Sequence, residues 1–264
     1  MDVLTINPTT NLTSTKAMHS LIDGDILVYR TGYTVNEEGQ EGLARARMND
    51  TIQRILDTTN ARDFTIYLSD SKNNFRLNLF KDYKANRKQP KPIHLEYLQN
   101  VLLKDWKAEV AFDEEADDAL GINQKQDHST CICTIDKDLL QVPGLHYNWV
   151  TGKSRSIGDV EANSRFYAQI LTGDSTDNVS IATGLSCPGI GPVKAEALLE
   201  GCNTEEEMFQ AVCHAYYKAL YKDISPGQIQ ERILLTGQLL KIRRKVGEIW
   251  TFPYTPKFVE EPTP

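Results

Sequence analysis

Two clusters of carboxylates constrain this chain more than any other feature: FDEEADD at residues 112–118 and TIDKD at residues 134–138. The first supplies Asp113, Glu114, Glu115, Asp117 and Asp118, and the second Asp136 and Asp138. Each follows a short apolar run of strand type. Two unit negative charges 4 Å apart repel by about 4 kcal/mol at an effective dielectric of 20. The clusters therefore either point apart into water or enclose something positive.

The surrounding pattern decides between these. Apolar runs at residues 20–28, 64–68, 109–112, 130–135 and 146–150 read as strands, the first ending in the turn Asp23-Gly-Asp25. Apolar residues at helical spacing over 42–56, 94–106 and 115–122 read as helices between them. Alternating strands and helices imply an α/β fold, a mostly parallel central sheet with helices on both faces. In such sheets ligands bind beyond the carboxyl ends of the strands. Asp23, Asp25, Asp70, the 113–118 cluster, Asp136 and Asp138 all fall at those ends. One acid at a strand-to-helix junction is ordinarily a helix cap; doubled acids at successive junctions indicate convergence.

Carboxylates without His or Cys partners select hard, oxygen-seeking cations, Mg²⁺ or Mn²⁺ before zinc. Two such ions can bind the attacking and leaving oxygens of a phosphodiester. At the spacing of a helix, Glu115 and Asp118 share a face and Asp117 turns away. Asp174 and Asp177, in GDSTDN, repeat the three-residue spacing at the end of a helix closing near Leu171.

Between two acid-bearing strands lies a cationic, aromatic segment, residues 74–92, containing FRLNLFKDYKANRKQPK. Lys81, Lys84, Arg87 and Lys88 form a stripe at helical spacing, and Tyr83 adds a ring for a base to stack on. Alone this is a solvated charge run; beside the acids it becomes a phosphate clamp. Pro188-Gly189-Ile190-Gly191-Pro192-Val193-Lys194 leads into a helix, and its glycines let backbone N–H groups approach a phosphate. Residues 204–222 and 226–245 read as helical, with a basic end at 241–245. The chain divides into a lead-in (1–19), an acid-bearing α/β core (20–172), a largely helical region that begins with Asp174 and Asp177 (173–250) and a tail (251–264).

The net charge of −7 argues against a generally basic coat but permits a local basic strip. Five cysteines without C-x-x-C spacing exclude a zinc framework and suit buried thiols in a reducing compartment. With neither a membrane-length apolar run nor a signal peptide, the expected location is the cytoplasm, that of the host if a phage encodes the chain.

These motifs together resemble the flap endonuclease/5′-nuclease family, nearest to small phage 5′–3′ exonucleases and the 5′-nuclease domain of bacterial DNA polymerases. The resemblance covers residues 20–201 and rests on Asp23-Gly24, Asp70, Phe75-Arg76, YKANR (83–87), EADD (115–118), TIDKDL (134–139), GDSTDN (173–178) and PGIG (188–191). It implies a PIN/5′-nuclease-like fold with a helical arch and a helix-hairpin-helix, a catalytic role for residues 20–172, and DNA binding with completion of the metal site for residues 173–250. It also implies two Mg²⁺ ions, replaceable by Mn²⁺, on Asp23, Asp70, Glu115, Asp117, Asp136, Asp138, Asp174 and Asp177, with Asp118 as a secondary ligand. Lys84 and Arg87 would contact the scissile phosphate. Arg76, Lys81, Tyr83, Lys88, Gly189, Gly191 and Lys194 would hold DNA, with K⁺ at the hairpin. The implied substrate is DNA with a free 5′ end or 5′ flap at a single-strand/duplex junction, RNA–DNA hybrid being a further candidate, and the protein a stand-alone, monomeric nuclease.

The sequence departs from the family at Asp25, where a small polar residue or His is usual, and in a longer loop over 179–187. Two alternatives compete. Asp23-Gly-Asp25 with GDSTD imitates a haloacid-dehalogenase-like Mg²⁺-dependent phosphatase, but leaves EADD, TIDKD, YKANR and the glycine hairpin unused. A catalytically inactive DNA-binding scaffold would not need the intact acid set.

Overall fold

Alternation of side chains along the strands builds two apolar layers on one sheet. In the computed structural model, which describes residues 18–70 and 73–258, the strands are β1 (Met18–Asp23), β2 (Ala61–Ser69), β3 (Glu109–Ala111), β4 (Thr130–Cys133), β5 (Gly144–Asn148) and β6 (Lys153–Ile157). Their order is β3-β2-β1-β4-β5-β6; all neighbours pair in parallel except β5 and β6, which pair antiparallel. Ile22, Ile66, Leu68, Cys131 and Cys133 enter one core. Their sequence neighbours Leu21, Tyr67 and Ile132 enter the core on the opposite face.

The first core is covered by α1 (Gly24–Thr34), α2 (Glu41–Thr59) and α4 (Leu95–Asp105), through Leu27, Val28, Met48, Ile52, Ile55, Leu98 and Leu102. The second is covered by α5 (Ala116–Asn123), through Ala116, Ala119 and Leu120. Between β2 and α4 the chain forms the short helix α3 (Phe75–Leu79). Helices α6 (Asp159–Thr172), α7 (Pro192–Leu199), α8 (Glu205–Leu220) and α9 (Pro226–Leu240) share a further core built on Phe166, Tyr167, Phe209, Tyr216 and Trp250. Residues 250–258 strap across it: Phe252 packs on Phe209, and Phe258 stacks on Tyr217 with ring centroids 5.1 Å apart.

Several expectations change. Residues 24–28, read as the end of a strand and a turn, open α1, because the Asp23 carboxylate accepts the Ile26 N–H and caps the helix. Gly24 is required there, since a Cβ would lie 2.5 Å from the Tyr67 carbonyl oxygen. β6 carries no strand signature because four of its five residues are exposed. Met18 and His19, assigned to the lead-in, belong to β1; the rest of that segment lies outside the described residues. Cys131 and Cys133 are buried free thiols, as their setting predicts. The segment 74–92 is helical only over α3; residues 81–86 form turns, Lys84 takes a φ of 59°, and no helical stripe of Lys81, Lys84, Arg87 and Lys88 forms.

Candidate active site

The carboxyl edge of the sheet gathers the acids. Asp23 ends β1 and is fully buried; Oδ1 accepts the Ile26 N–H (3.0 Å) and Oδ2 the Thr134 hydroxyl (2.7 Å). Burial, then the neighbouring Asp25 and Asp136, pushes its carboxyl up to about 7. Asp25 lies in the first turn of α1 and accepts the backbone N–H and hydroxyl of Ser69. The Ser69 Oγ accepts the Ala116 N–H at 2.9 Å, so Asp25 works as a tie between β2 and α5.

Glu115 is the N-cap of α5, and Asp118 returns the capping box by accepting the Glu115 N–H at 3.2 Å. This reverses the expected facing. Because Glu115 precedes the helix, it joins Asp117 at the site, while Asp118 turns inward. Burial, then Asp23, Asp136 and Glu115, holds the Asp117 carboxyl far above its usual range. Asp136 accepts the Asp138 N–H at 2.8 Å and so starts the 3₁₀ turn Asp138–Gln141. Burial, then Asp136, Asp174 and Asp177, pushes Asp138 up to about 7. Asp174 and Asp177 follow the end of α6, as expected: Asp174 comes directly after the C-cap Gly173, and a bridge between Asp174 and Val179 closes the turn that holds both.

Glu115, Asp117, Asp138, Asp174 and Asp177 line one cavity of about 30 Å³. Asp23 and Asp136 act on its members through their charge. Asp70 does not line it; its carboxylate accepts from the backbone and side chain of Asn73 at 3.1 and 3.0 Å.

The cations 84 and 87 close over this cavity. Lys84 Nζ bonds Glu115 Oε1 and lies 3.7 Å from Asp177; Arg87 Nη2 lies 2.7 Å from Asp177 Oδ1. The Tyr83 hydroxyl lies within hydrogen-bond distance of both Glu115 (3.0 Å) and Asp177 (2.7 Å). Its ring is only 4% exposed, so Tyr83 braces the acids and offers no face to a base.

Two further assignments are corrected. Arg76, expected on DNA, is 2% exposed and grips fully buried Asp118 with two nitrogens, at 2.5 and 2.9 Å. Burial alone would raise the Asp118 carboxyl; Arg76 outweighs it and holds the group below its usual range. With Glu115 N–H, Arg243 N–H and Arg76 on its two oxygens, Asp118 is a structural counterion and not a ligand. The expected basic end also turns inward, with Lys241 and Arg243 buried.

Lys81 and Lys88 are exposed. Gly189 (φ 74°) and Gly191, the N-cap of α7, shape the exposed hairpin, and Lys194 Nζ donates to the Gly189 carbonyl at 2.9 Å. Sequence reading missed a groove of about 750 Å³ between α1, α2 and the β5–β6 turn, lined by Arg30, Arg47, Arg54, Thr31 and Trp149. Among the described residues, none of these arginines forms an ion pair. Arg30 and the other two come from separate helices, so no local pattern announces the groove.

The donor chemistry fits a hard divalent cation: oxygens only, in a buried set whose carboxyls are raised first by burial and then by one another's charge. Among the described residues no three His, Cys, Asp or Glu side chains are closed to a shared coordination distance. Glu115 and Asp177 are instead engaged by Lys84 and Arg87. The phosphatase alternative is not favoured, because it gives no role to Glu115, Asp117 and Asp138, which share the cavity with Asp174 and Asp177, or to Lys84 and Arg87 above them.

Fold and site thus define an α/β protein with a cation-capped carboxylate centre at the carboxyl edge of a mostly parallel sheet. Residues 18–167 match the 5′-3′ exonuclease N-terminal, resolvase-like domain, and the chain belongs to that family. A 5′-3′ exonuclease of Buchnera aphidicola subsp. Schizaphis graminum is 30% identical over 186 residues, 60% of this chain and 63% of that protein. DNA polymerase I of Bacillus caldotenax is 26% identical over 250 residues, 85% of this chain and 28% of the polymerase. These curated relatives are thus covered over less than two thirds of their length. Among solved structures, bacteriophage T5 flap endonuclease in a complex with DNA and metal ions shares the fold, with a TM-score of 0.62. That alignment covers 83% of this chain and 89% of the phage protein at 16% identity. Among the described residues no helix is long and apolar enough to cross a membrane.

Proposed function

We propose that the chain is a divalent-metal-dependent nuclease acting as a 5′–3′ exonuclease and 5′-flap endonuclease. The observation that carries this reading is the single cavity on which Glu115, Asp117, Asp138, Asp174 and Asp177 converge beneath Lys84 and Arg87. With Asp23 and Asp136 these acids would hold two Mg²⁺ ions, or Mn²⁺, which when bound supply Lewis-acid stabilisation of the phosphate and an activated water. Asp70, turned to Asn73, would join only as an outer member.

The chain's own groups do the rest. Thr134 and the α1 N-terminus orient Asp23; the Asp25–Ser69–Ala116 tie sets α5, and with it Glu115 and Asp117. Lys84 and Arg87, now neutralising Glu115 and Asp177, stand where they would offset charge developing on the phosphate. No side-chain nucleophile is needed.

The substrate would be DNA with a free 5′ end or flap at a junction, with RNA–DNA hybrid a further candidate. Lys81 and Lys88 would guide the single strand, while the Gly189–Lys194 hairpin, with K⁺, and the Arg30–Arg54 groove would meet duplex phosphates. The protein would act as a monomer in the cytoplasm. The test offers a 5′-labelled flap, a blunt duplex and a phosphate monoester with Mg²⁺, Mn²⁺ or EDTA. Both DNAs should be cut with either metal and neither in EDTA. Turnover of the monoester alone would overturn the proposal.

A further inference from the structure

The acid cavity has a wall that comes from outside the family-matched region. Leu239, Leu240 and Ile242 line it, 72 residues or more beyond Tyr167, where the match ends. As the chain leaves α9 it meets three of the elements that carry the site: α3, α5 and the 3₁₀ turn Asp138–Gln141. Arg76, at the base of the cationic segment, donates Nε to the Leu239 carbonyl and Nη2 to the Lys241 carbonyl, both at 2.8 Å. The Arg243 N–H donates to Asp118 Oδ1 at 3.0 Å, and its Nη1 pairs with Glu114 at the same distance. Its guanidinium also stacks 3.6 Å from the Phe75 ring centroid. Arg244 Nη2 bonds the Gln141 carbonyl, in the turn that Asp138 opens. Backbones meet at α5, where a Cβ on Gly121 would lie 2.3 Å from the Arg243 carbonyl oxygen.

We infer that residues 239–244 are a positioning strap for the carboxylate centre, and that Arg243 is its principal side chain. The inference rests on the proposed nuclease reading and deepens it. Arg243 touches neither the cavity nor the cations above it. It joins Glu114, immediately before the α5 cap Glu115, to Phe75, the first residue of α3. The strap thereby sets the spacing between acids 115 and 117 and cations 84 and 87, so the matched region alone does not contain its complete site. A guanidinium suits this role because one planar group can stack on a ring and donate in its plane.

The test uses the full chain and the variants Arg243→Ala, Arg243→Lys and Glu114→Gln. Mn²⁺ affinity is measured by calorimetry without DNA; kcat, KM and the half-saturating metal concentration are measured on a 5′-flap DNA. For Arg243→Ala we expect Mn²⁺ affinity to fall at least about fivefold and kcat at least about tenfold, with KM for DNA within threefold. Arg243→Lys restores the Glu114 pair without the planar stack and should recover part of the metal affinity. Glu114→Gln should shift it in the same direction as Arg243→Ala, and carries the test if that variant does not fold. A lower melting temperature with unchanged Mn²⁺ affinity and unchanged kcat per folded molecule would overturn the strap. A wild-type protein that cuts no DNA would sink the nuclease reading instead, while the calorimetry would still decide the strap.

Discussion

Arg76 and Asp118 show what a residue can hide in a sequence. Asp118 stands among acids and Arg76 near the start of the cationic segment, and nothing local distinguishes them from groups that face solvent or metal. Packing turns them toward each other, and the pair is sealed, with side chains 3% and 0% exposed. Removing one partner of a buried pair leaves an uncompensated charge, which costs about 3–5 kcal/mol. Arg76→Met should therefore lower the unfolding free energy by that amount in urea titrations, and a loss under 1 kcal/mol would contradict the account. His146 offers a second residue-scale prediction. Burial holds its imidazole below the usual range, with Nε2 hydrogen-bonded to the Val142 carbonyl. As pH falls below about 6.5, the unfolded chain takes up the proton first, and the folded state loses stability. The melting-temperature advantage of wild type over His146→Gln should shrink from pH 7.5 to pH 5.5, whereas a constant gap would contradict the assignment.

At the scale of elements, periodicity carried most of the fold. β1 to β5, α2, α4 and the helices after Asp159 follow from apolar spacing, and the acid-bearing junctions follow from strand ends. What was illegible has identifiable physical causes. α1 depends on a cap made by an acid that looked like part of a turn, and β6 is nearly all exposed. The segment after α3 carries helix-compatible cations, yet its turns are held by tertiary bonds: Asn86 to the Ser175 carbonyl, the Lys84 N–H to the Asp177 carbonyl, and Arg87 to Asp177. Those bonds make Lys84 a partner of the acids as well as a candidate phosphate contact. Lys84→Met should lower kcat on flap DNA by about 10²–10³-fold with DNA affinity little changed, the scale for losing one preorganised charge donor. A change confined to KM would place Lys84 in binding alone. The arginine groove was invisible because α1 and α2 contribute to it from opposite sides of a loop. Replacing Arg30 and Arg54 together by Glu should weaken flap-DNA binding and flatten its salt dependence by about 0.9 in slope per lost phosphate contact. An unchanged slope would remove the groove from the interface.

For the whole molecule, a net charge of −7 coexists with a proposed polyanionic substrate because the charges are segregated. The site acids gather at the carboxyl edge of the sheet, whereas Lys81, Lys88 and the groove arginines Arg30, Arg47 and Arg54 are exposed. The C-terminal strap and helices are part of that arrangement, since the cavity takes its apolar wall from residues 239–242. The central claim is that this acid cavity performs phosphodiester hydrolysis. It is tested most directly by Asp136→Ala, with cleavage and binding of a 5′-labelled flap measured in parallel at saturating Mg²⁺. The account predicts a loss of cleavage of at least about a thousandfold, about 4 kcal/mol of transition-state stabilisation, with DNA affinity within a few fold of wild type. Cleavage within tenfold of wild type at unchanged affinity would contradict it.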